Sequence, residues 1–232
     1  MFEDLLLVSV TLLIILIARI YWLYVKYYSQ NPIKILIEGN IGAGKTTLMN
    51  FLSTYYPEFE YVYEPVDKWK KLGILGLYYT EPSRWGFSFQ IFAIQSRLQA
   101  MDKAIKRAMS KPKQIITDIL FITCPNTKYV IIERSGLADR DCFVETMKDY
   151  GYMNQTESKI YDKMYDNIFI NKYHVYDNNT IVVYLNTKVD TCIERINNRS
   201  RNEEKNKIPT EYLEKLEKYH IKMLNKIREK NG

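Results

Sequence analysis

The run Gly39-Asn40-Ile41-Gly42-Ala43-Gly44-Lys45-Thr46, set between the apolar stretch IKILIE and the segment LMNFLSTYY, constrains this chain more than any other feature. It satisfies the pattern GxxxxGK[ST], in which glycines let successive backbone amides turn inward around a phosphate. Lys45 supplies a point charge for the outer phosphates, Thr46 a hydroxyl for Mg²⁺, and Thr47 continues the same turn. The motif has force only between a strand and a helix, and both are foreshadowed here. A glycine-rich turn with an incidental lysine is the competing reading, and the flanking pattern argues against it.

From Ile33 onward, short runs rich in Ile, Val and Tyr alternate with longer helical stretches, which is the pattern of an α/β fold. Strands are expected over 33–39, 61–66, 128–135 and 180–186, and their continuous apolarity suits a parallel sheet with helices on both faces. Helices are expected over 46–56, 85–110, 157–173, 189–198 and 209–228. The stretch QIITDILFITCPNTK has strand-like apolarity but no evident place, and NRSRNEEKNK reads as a polar loop.

The N-terminus follows a different rule. Residues Leu5–Val25 carry one charge, Arg19, and as a helix would cross a hydrocarbon core of about 30 Å. Arg19 lies toward one end, where it can snorkel, and Tyr21, Trp22 and Tyr24 fit an interfacial belt. Acidic Glu3 and Asp4 before the segment and Lys26 and Lys34 after it place the remainder on the cytosolic side. The expected organisation is a single-pass anchor over 1–29 and one domain over 30–232; an apolar helix packed on its own domain, in a soluble cytoplasmic protein, is the alternative. With 232 residues, 47% of them hydrophobic, the chain is long enough for one substantial core. Its formal charge of +6 is spread along the chain, giving no support to a nucleic-acid role. Cys124, Cys142 and Cys192 form no CxxC pair, and His174 and His220 have no partner at metal-ligand spacing, so both histidines are expected at the surface.

In an open parallel sheet, ligands gather beyond the carboxyl ends of the strands. Glu64, at the end of the second strand, can take a proton from an attacking hydroxyl there; capping a helix or pairing with a surface cation is an even alternative. Glu133 and Arg134 end the third strand at the same rim, where a carboxylate can order Mg²⁺ and a guanidinium can hold Glu64 or a transferring group; a structural ion pair is the competing reading. Arg195, Arg199 and Arg201 follow the fourth strand and can form a cationic lid over phosphoryl charge, or else a solvated basic loop balanced by Glu203 and Glu204.

Taken together, the motifs GNIGAGKTT, EPVDKW, YYTEPSRWGFSFQIFAIQSRLQ, ERSGLADR and CIERINNRSRNEEKNKIPTEYLEKL, in this order from about Ile33 to Leu224, resemble the deoxynucleoside kinase family, which includes deoxycytidine, deoxyguanosine and deoxyadenosine kinases. The first motif is shared by many NTPases, whereas the ordered set is specific. The resemblance implies a parallel five-stranded sheet of the P-loop NTPase type with an arginine lid. It also implies a usually dimeric enzyme that moves the γ-phosphoryl of ATP to a deoxynucleoside 5′-hydroxyl in nucleotide salvage, with Mg²⁺. It further implies Glu64 as general base with Arg134 beside it, Tyr79 and Glu204 on the sugar 3′-hydroxyl, and Gln90 on the base edge. Trp69, Phe89 and Phe143 would be aromatic walls, with ordinary core packing, the more common fate of such residues, as the alternative. The trio Ala93, Arg97 and Asp139 matches the cytidine and purine kinases rather than the thymidine-preferring branch, so a purine or deoxycytidine acceptor is expected.

One departure stands out: no β-rich run follows the lid helix, so the family's fifth strand is expected to be absent. Two other functions compete. A nucleoside monophosphate kinase shares the loop and lid, but a carboxylate beside its acceptor phosphate is unfavourable. A non-catalytic membrane subunit on a kinase-like fold, similar to an accessory subunit of respiratory complex I, would tolerate the missing strand and use the anchor.

Overall fold

The computed structural model describes residues 14–21, 32–110, 128–167, 179–199, 201, 203–204 and 207–231. Four strands, β1 (Ile33–Gly39), β2 (Glu60–Val62), β3 (Tyr129–Glu133) and β4 (Thr180–Leu185), pair in the order β2-β3-β1-β4. Every pairing is parallel, with Ile35 of β1 opposite Ile131 of β3 and Ile181 of β4. Parallel strands cannot be joined by tight turns, so each connection carries helices across a face of the sheet.

The helices are α1 (Lys45–Tyr55), α2 (Val66–Lys71), α3 (Ile74–Thr80), α4 (Pro82–Ser110), α6 (Gln155–Tyr165), α7 (Val189–Asn198) and α8 (Thr210–Asn231). Between β3 and α6 lies α5, a run of helical turns Gly136–Ala138 and Glu145–Asp149 around a π-helical turn, Asp139–Val144. Local chemistry fixes several starts. Pro82 opens α4, where its missing N–H is no loss. Ser135 accepts from the amides of Leu137 and Ala138 at the head of α5, and Asn154 and Glu157 close a reciprocal capping box on α6.

Alternation along β1 sorts the interior. Leu36 joins Val62, Val130 and Ile132 in a cluster with α2, α3, α4 and α6, while Ile37 joins Ile131 and Met49 of α1 on the opposite face. A separate cluster gathers Ile41 and Ala43 of the glycine loop with Ala138, Cys142, Cys192, Ile196 and Tyr212, Leu213 and Leu216 of α8. The glycine loop therefore rests on α5, α7 and α8, and the acceptor side of the rim rests on the α2–α4 layer.

The expected strands and helices recur with adjusted ends. The second strand stops at Val62 rather than reaching residue 66, because Pro65 has no N–H to donate and Val66 already begins α2. The helix expected over 157–173 is seen as Gln155–Tyr165 with a π-helical turn at Asp166 and Asn167, and residues 168–173 lie outside the described residues. Among the described residues the sheet has four strands, with no fifth beside β4. The QIITDILFITCPNTK stretch, apart from Lys128, and Cys124 and His174 all lie outside the described residues. His220, expected at the surface, is fully buried: its Nδ1 contacts the Leu216 carbonyl at 2.7 Å and its ring lies beside Phe143 and Tyr184. Burial holds its pKa down to about 3, so the ring is neutral and serves the core as a small aromatic.

The membrane span expected over Leu5–Val25 is not supported. Of that segment only 14–21 are described, as a helical stretch with exposed Ile14, Ile15, Leu16, Ile17, Ile20 and Tyr21, and the rest lies outside the described residues. Among the described residues no helix is long and apolar enough to cross a membrane.

Candidate active site

Beyond the carboxyl ends of β1, β2 and β3 opens a cavity of about 470 Å³. Its donor end is the turn between β1 and α1. Gly42 and Gly44 adopt φ of 79° and 98°, a left-handed backbone that glycine enters without strain. At Gly42 a side chain is also sterically barred, since a Cβ would come within 2.5 Å of the Cys192 carbonyl oxygen. Gly39, Asn40, Ile41 and Ala43 complete the turn, and Asn40 braces it by accepting from the Ile41 amide at 2.9 Å. Lys45 Nζ folds back to donate to the carbonyls of Gly39 and Asn40 at 3.0 and 2.7 Å. Ile41, Gly42, Gly44, Lys45, Thr46 and Thr47 line the cavity.

The rim of β3 supplies the next layer. Thr46 Oγ1 donates to Glu133 Oε1 at 2.5 Å, so a hydroxyl and a carboxylate, both hard oxygen donors, stand together at the mouth of the turn. That donor set suits Mg²⁺, which is usually held by few protein groups together with substrate phosphates. Arg134 follows with φ of 61°, a left-handed conformation that costs a bulky residue about 1–3 kcal/mol. The turn aims its guanidinium into the cavity, over the Phe143 ring at 4.5 Å and toward Glu64.

Glu64 is the point on which the two halves converge. Its Oε1 accepts from Arg97 Nη2 at 2.6 Å and from Arg134 Nε at 3.2 Å, while Oε2 accepts from no described residue. Arg97 also pairs with Asp139 at 2.9 Å and lies over the Trp69 ring at 4.9 Å. The acceptor wall is completed by Leu75, Tyr78, Tyr79, Phe89, Gln90 and Ala93. Gln90 is 1% exposed, and its Oε1 accepts from no described residue.

All three lid arginines line the cavity. Arg195 Nη1 donates to the Ala43 carbonyl at 3.1 Å, which seats a guanidinium directly on the glycine turn. Arg199 and Arg201 instead pair with buried Glu204, the latter at 3.4 Å. Glu204 thus sits behind the wall, as the anchor of two arginines, and Tyr79 faces the space. A strand–glycine loop–helix, a carboxylate opposite it and guanidiniums above form the arrangement expected of phosphoryl transfer to a hydroxyl.

Comparison with known proteins decides among the kinases of this type. A model of the deoxynucleoside kinase family matches residues 35–230. The chain belongs to the deoxynucleoside kinase family. The kinase is 35% identical over 205 residues to the deoxycytidine kinase of Homo sapiens, covering 81% of this chain and 73% of that one. It is 33% identical over 196 residues to a probable deoxycytidine kinase of Fowlpox virus (strain NVSL), covering 84% and 73%. With the mitochondrial thymidine kinase 2 of Macaca fascicularis it shares 34% over 196 residues, covering 83% and 64%. Relatives named for different bases lie at nearly equal identity, so identity alone does not select the base.

Burial and charge set the ionisation of the kinase site. Burial pushes the Glu64 carboxyl up, but Arg97, then Arg134 and Lys45, outweigh it and hold it well below the usual carboxylate range. Burial raises Asp139 to about 6 against the pull of Arg97. One guanidinium between two carboxylates therefore leaves Glu64 ionised and Asp139 the more readily protonated. Burial, reinforced by Arg134, lowers Lys45 to about 7. Sequence reading missed Leu75 and Tyr78. Their signal was present, since positions 75, 78 and 79 share one helical face with the Tyr79 it did select.

Proposed function

We propose that this kinase transfers the γ-phosphoryl of ATP to the 5′-hydroxyl of a deoxynucleoside, with a purine or deoxycytidine preferred. The observation that carries the reading is a single cavity in which Glu64 and the glycine turn face each other under three arginines. Glu64 acts as general base through Oε2, the oxygen no described residue engages. Arg134 steadies Glu64 and the reacting hydroxyl. Lys45 and the inward amides of residues 39–47 hold the donor phosphates, and Arg195, Arg199 and Arg201 balance the charge that spreads over the moving group. Mg²⁺, held beside Thr46 and Glu133, would neutralise phosphate charge.

On the acceptor side, the planar amide of Gln90 offers a donor and an acceptor to a base edge, and its Oε1, which no described residue engages, is the cue. Trp69, Phe89 and Phe143 wall the ring, Arg97 and Asp139 address its far edge, and Tyr79 meets the sugar 3′-hydroxyl, which Glu204 joins on exchanging its arginines for substrate. An acceptor already bearing a phosphate would bring its anion against the ionised Glu64, which disfavours nucleoside monophosphates. Family membership is also the ground for proposing a homodimer, which sedimentation tests. The deciding assay offers the purified protein ATP with each of the four deoxynucleosides and each monophosphate. Turnover of deoxyadenosine, deoxyguanosine or deoxycytidine is expected, and turnover of monophosphates alone would overturn the reading.

Lys45 adds a pH prediction. In the free kinase its amine is half neutral near pH 7, whereas bound phosphates favour the charged form. Above pH 7, nucleotide binding must therefore take up a proton, and affinity falls by up to about tenfold per pH unit. Below about pH 6 the proton is already present and this contribution is flat. Calorimetry in buffers of different ionisation heat reads the uptake directly. Lys45→Arg, charged throughout, should abolish it, and wild-type affinity that is level from pH 7 to 9 would contradict the mechanism.

A further inference from the structure

The donor and acceptor ends of the cavity belong to different apolar clusters. Tyr78 belongs to the cluster of α2, α3 and α4, and Tyr212 to the cluster of the glycine loop, α7 and α8. Their hydroxyls meet at 2.9 Å, with the residues only 4% and 7% exposed. On the acceptor side Tyr78 lines the cavity and stacks on Phe89, ring centroids 4.7 Å apart and planes 14° apart. On the donor side the next residue of α8 is held as well. The Leu213 carbonyl accepts from Asn40 Nδ2 at 2.8 Å, and Asn40, 2% exposed, is the second residue of the glycine turn. Among the described residues, an ion pair and a hydrogen bond between the α2–α3 layer and the stretch from the lid to α8 are looser: Lys70 to Glu203 at 3.6 Å and Lys207 to Thr80 at 3.5 Å, on exposed or half-buried side chains.

We propose that the first turn of α8 is a strut that fixes the distance between the two substrates, with Tyr78 and Tyr212 as positioning residues joined by their hydroxyls. This inference rests on the kinase reading above and deepens it. The path runs from Phe89 through Tyr78 and Tyr212 to Leu213 and Asn40, so every step from the acceptor wall to the phosphate turn is a buried stack, hydrogen bond or covalent link. Neither tyrosine needs to touch the reacting atoms. Their work is geometric: phosphoryl transfer depends on alignment, and a displacement of about 1 Å between reactants can cost on the order of 10²-fold in rate.

Tyr78→Phe and Tyr212→Phe, made singly and together in the full chain, test the strut. Each single change should lower kcat by about 10- to 100-fold while leaving KM for ATP and for the deoxynucleoside within about twofold, since each half keeps its own contacts. Each also leaves one buried hydroxyl orphaned, lowering the melting temperature by roughly 2–10 °C. The double variant removes both hydroxyls, so melting temperature should recover in part while kcat stays as low as in the singles. Recovery of kcat together with stability would show a merely structural pair and overturn the proposal. So would single variants with wild-type kcat, or losses that multiply in the double variant, because two effects of one bond cannot add. A wild-type protein that phosphorylates no deoxynucleoside would overturn the kinase reading and the strut together, whereas failure confined to the variants overturns the strut alone.

Discussion

Replacing Glu64 by glutamine should lower kcat by about 10²- to 10⁴-fold, the usual worth of a general base, with little change in the KM of the deoxynucleoside. The expectation follows from which oxygen does what. Both arginines bond Oε1. An amide that places its oxygen there keeps both bonds and the shape of the wall, while its NH₂ occupies the place of Oε2 and cannot accept a proton. Binding is thereby separated from chemistry. Because Arg97 and Arg134 hold the carboxyl below its ordinary range, Glu64 stays ionised through that range and above it, and an acid limb there in the wild-type profile would have another origin. The sign for stability follows as well. A depressed folded pKa means that the pairing stabilises the fold above the unfolded value of about 4.3, and that this contribution is lost as pH falls through the folded value. Single-turnover phosphorylation by the variant is the measurement. A rate equal to wild type would remove Glu64 from proton transfer.

The second large effect belongs to Arg195. Removal of a guanidinium that balances charge on a transferring phosphoryl group costs about 10³ to 10⁵ in kcat, and Arg195→Ala should fall within that range. Of the lid arginines, Arg195 alone has its Nη1 anchored to a carbonyl of the glycine turn, Ala43, at 3.1 Å. It is therefore in place before substrate arrives. Arg199 and Arg201 answer to Glu204 and must trade that partner for phosphate, so their alanine variants should lose less. Arg195→Lys should recover only part of the loss, because an ammonium supplies charge without the planar fork. Measured at saturating ATP and acceptor, a fall of less than tenfold for Arg195→Ala would move the charge-balancing role elsewhere on the lid.

What the sequence made legible was what depends on contiguous residues. β1 and α7 have the expected bounds, since an unbroken apolar run and a strongly one-sided helix leave few alternatives. The glycine turn was legible for the same reason: amides eight residues apart at most build it. That Glu64, Arg134 and the lid arginines would line one cavity was recoverable because strand ends and a glycine turn converge by topology. The misjudged parts have two sources, a local stop outweighed by strand propensity and partners distant along the chain. Tyr61, Val62 and Tyr63 have strand propensity, yet the β2 pairing ends where Pro65 and Val66 turn into α2. His220 looks polar in sequence, but Phe143 and Tyr184 enclose it from elements far along the chain. Tyr78 and Tyr212 are separated by 134 positions, and nothing local to either announces that their hydroxyls meet.

The left-handed backbone of Arg134 has a consequence for anyone who sets out to harden this protein. Glycine, or asparagine to a lesser degree, would relax that turn, so a selection that reads only heat resistance will be drawn to position 134. What it retrieves there would be a sturdier molecule without the guanidinium proposed to steady Glu64 and the reacting hydroxyl. If Arg134 has the proposed role, ruggedness and catalysis are opposed at this position, and a screen blind to product would choose the wrong one.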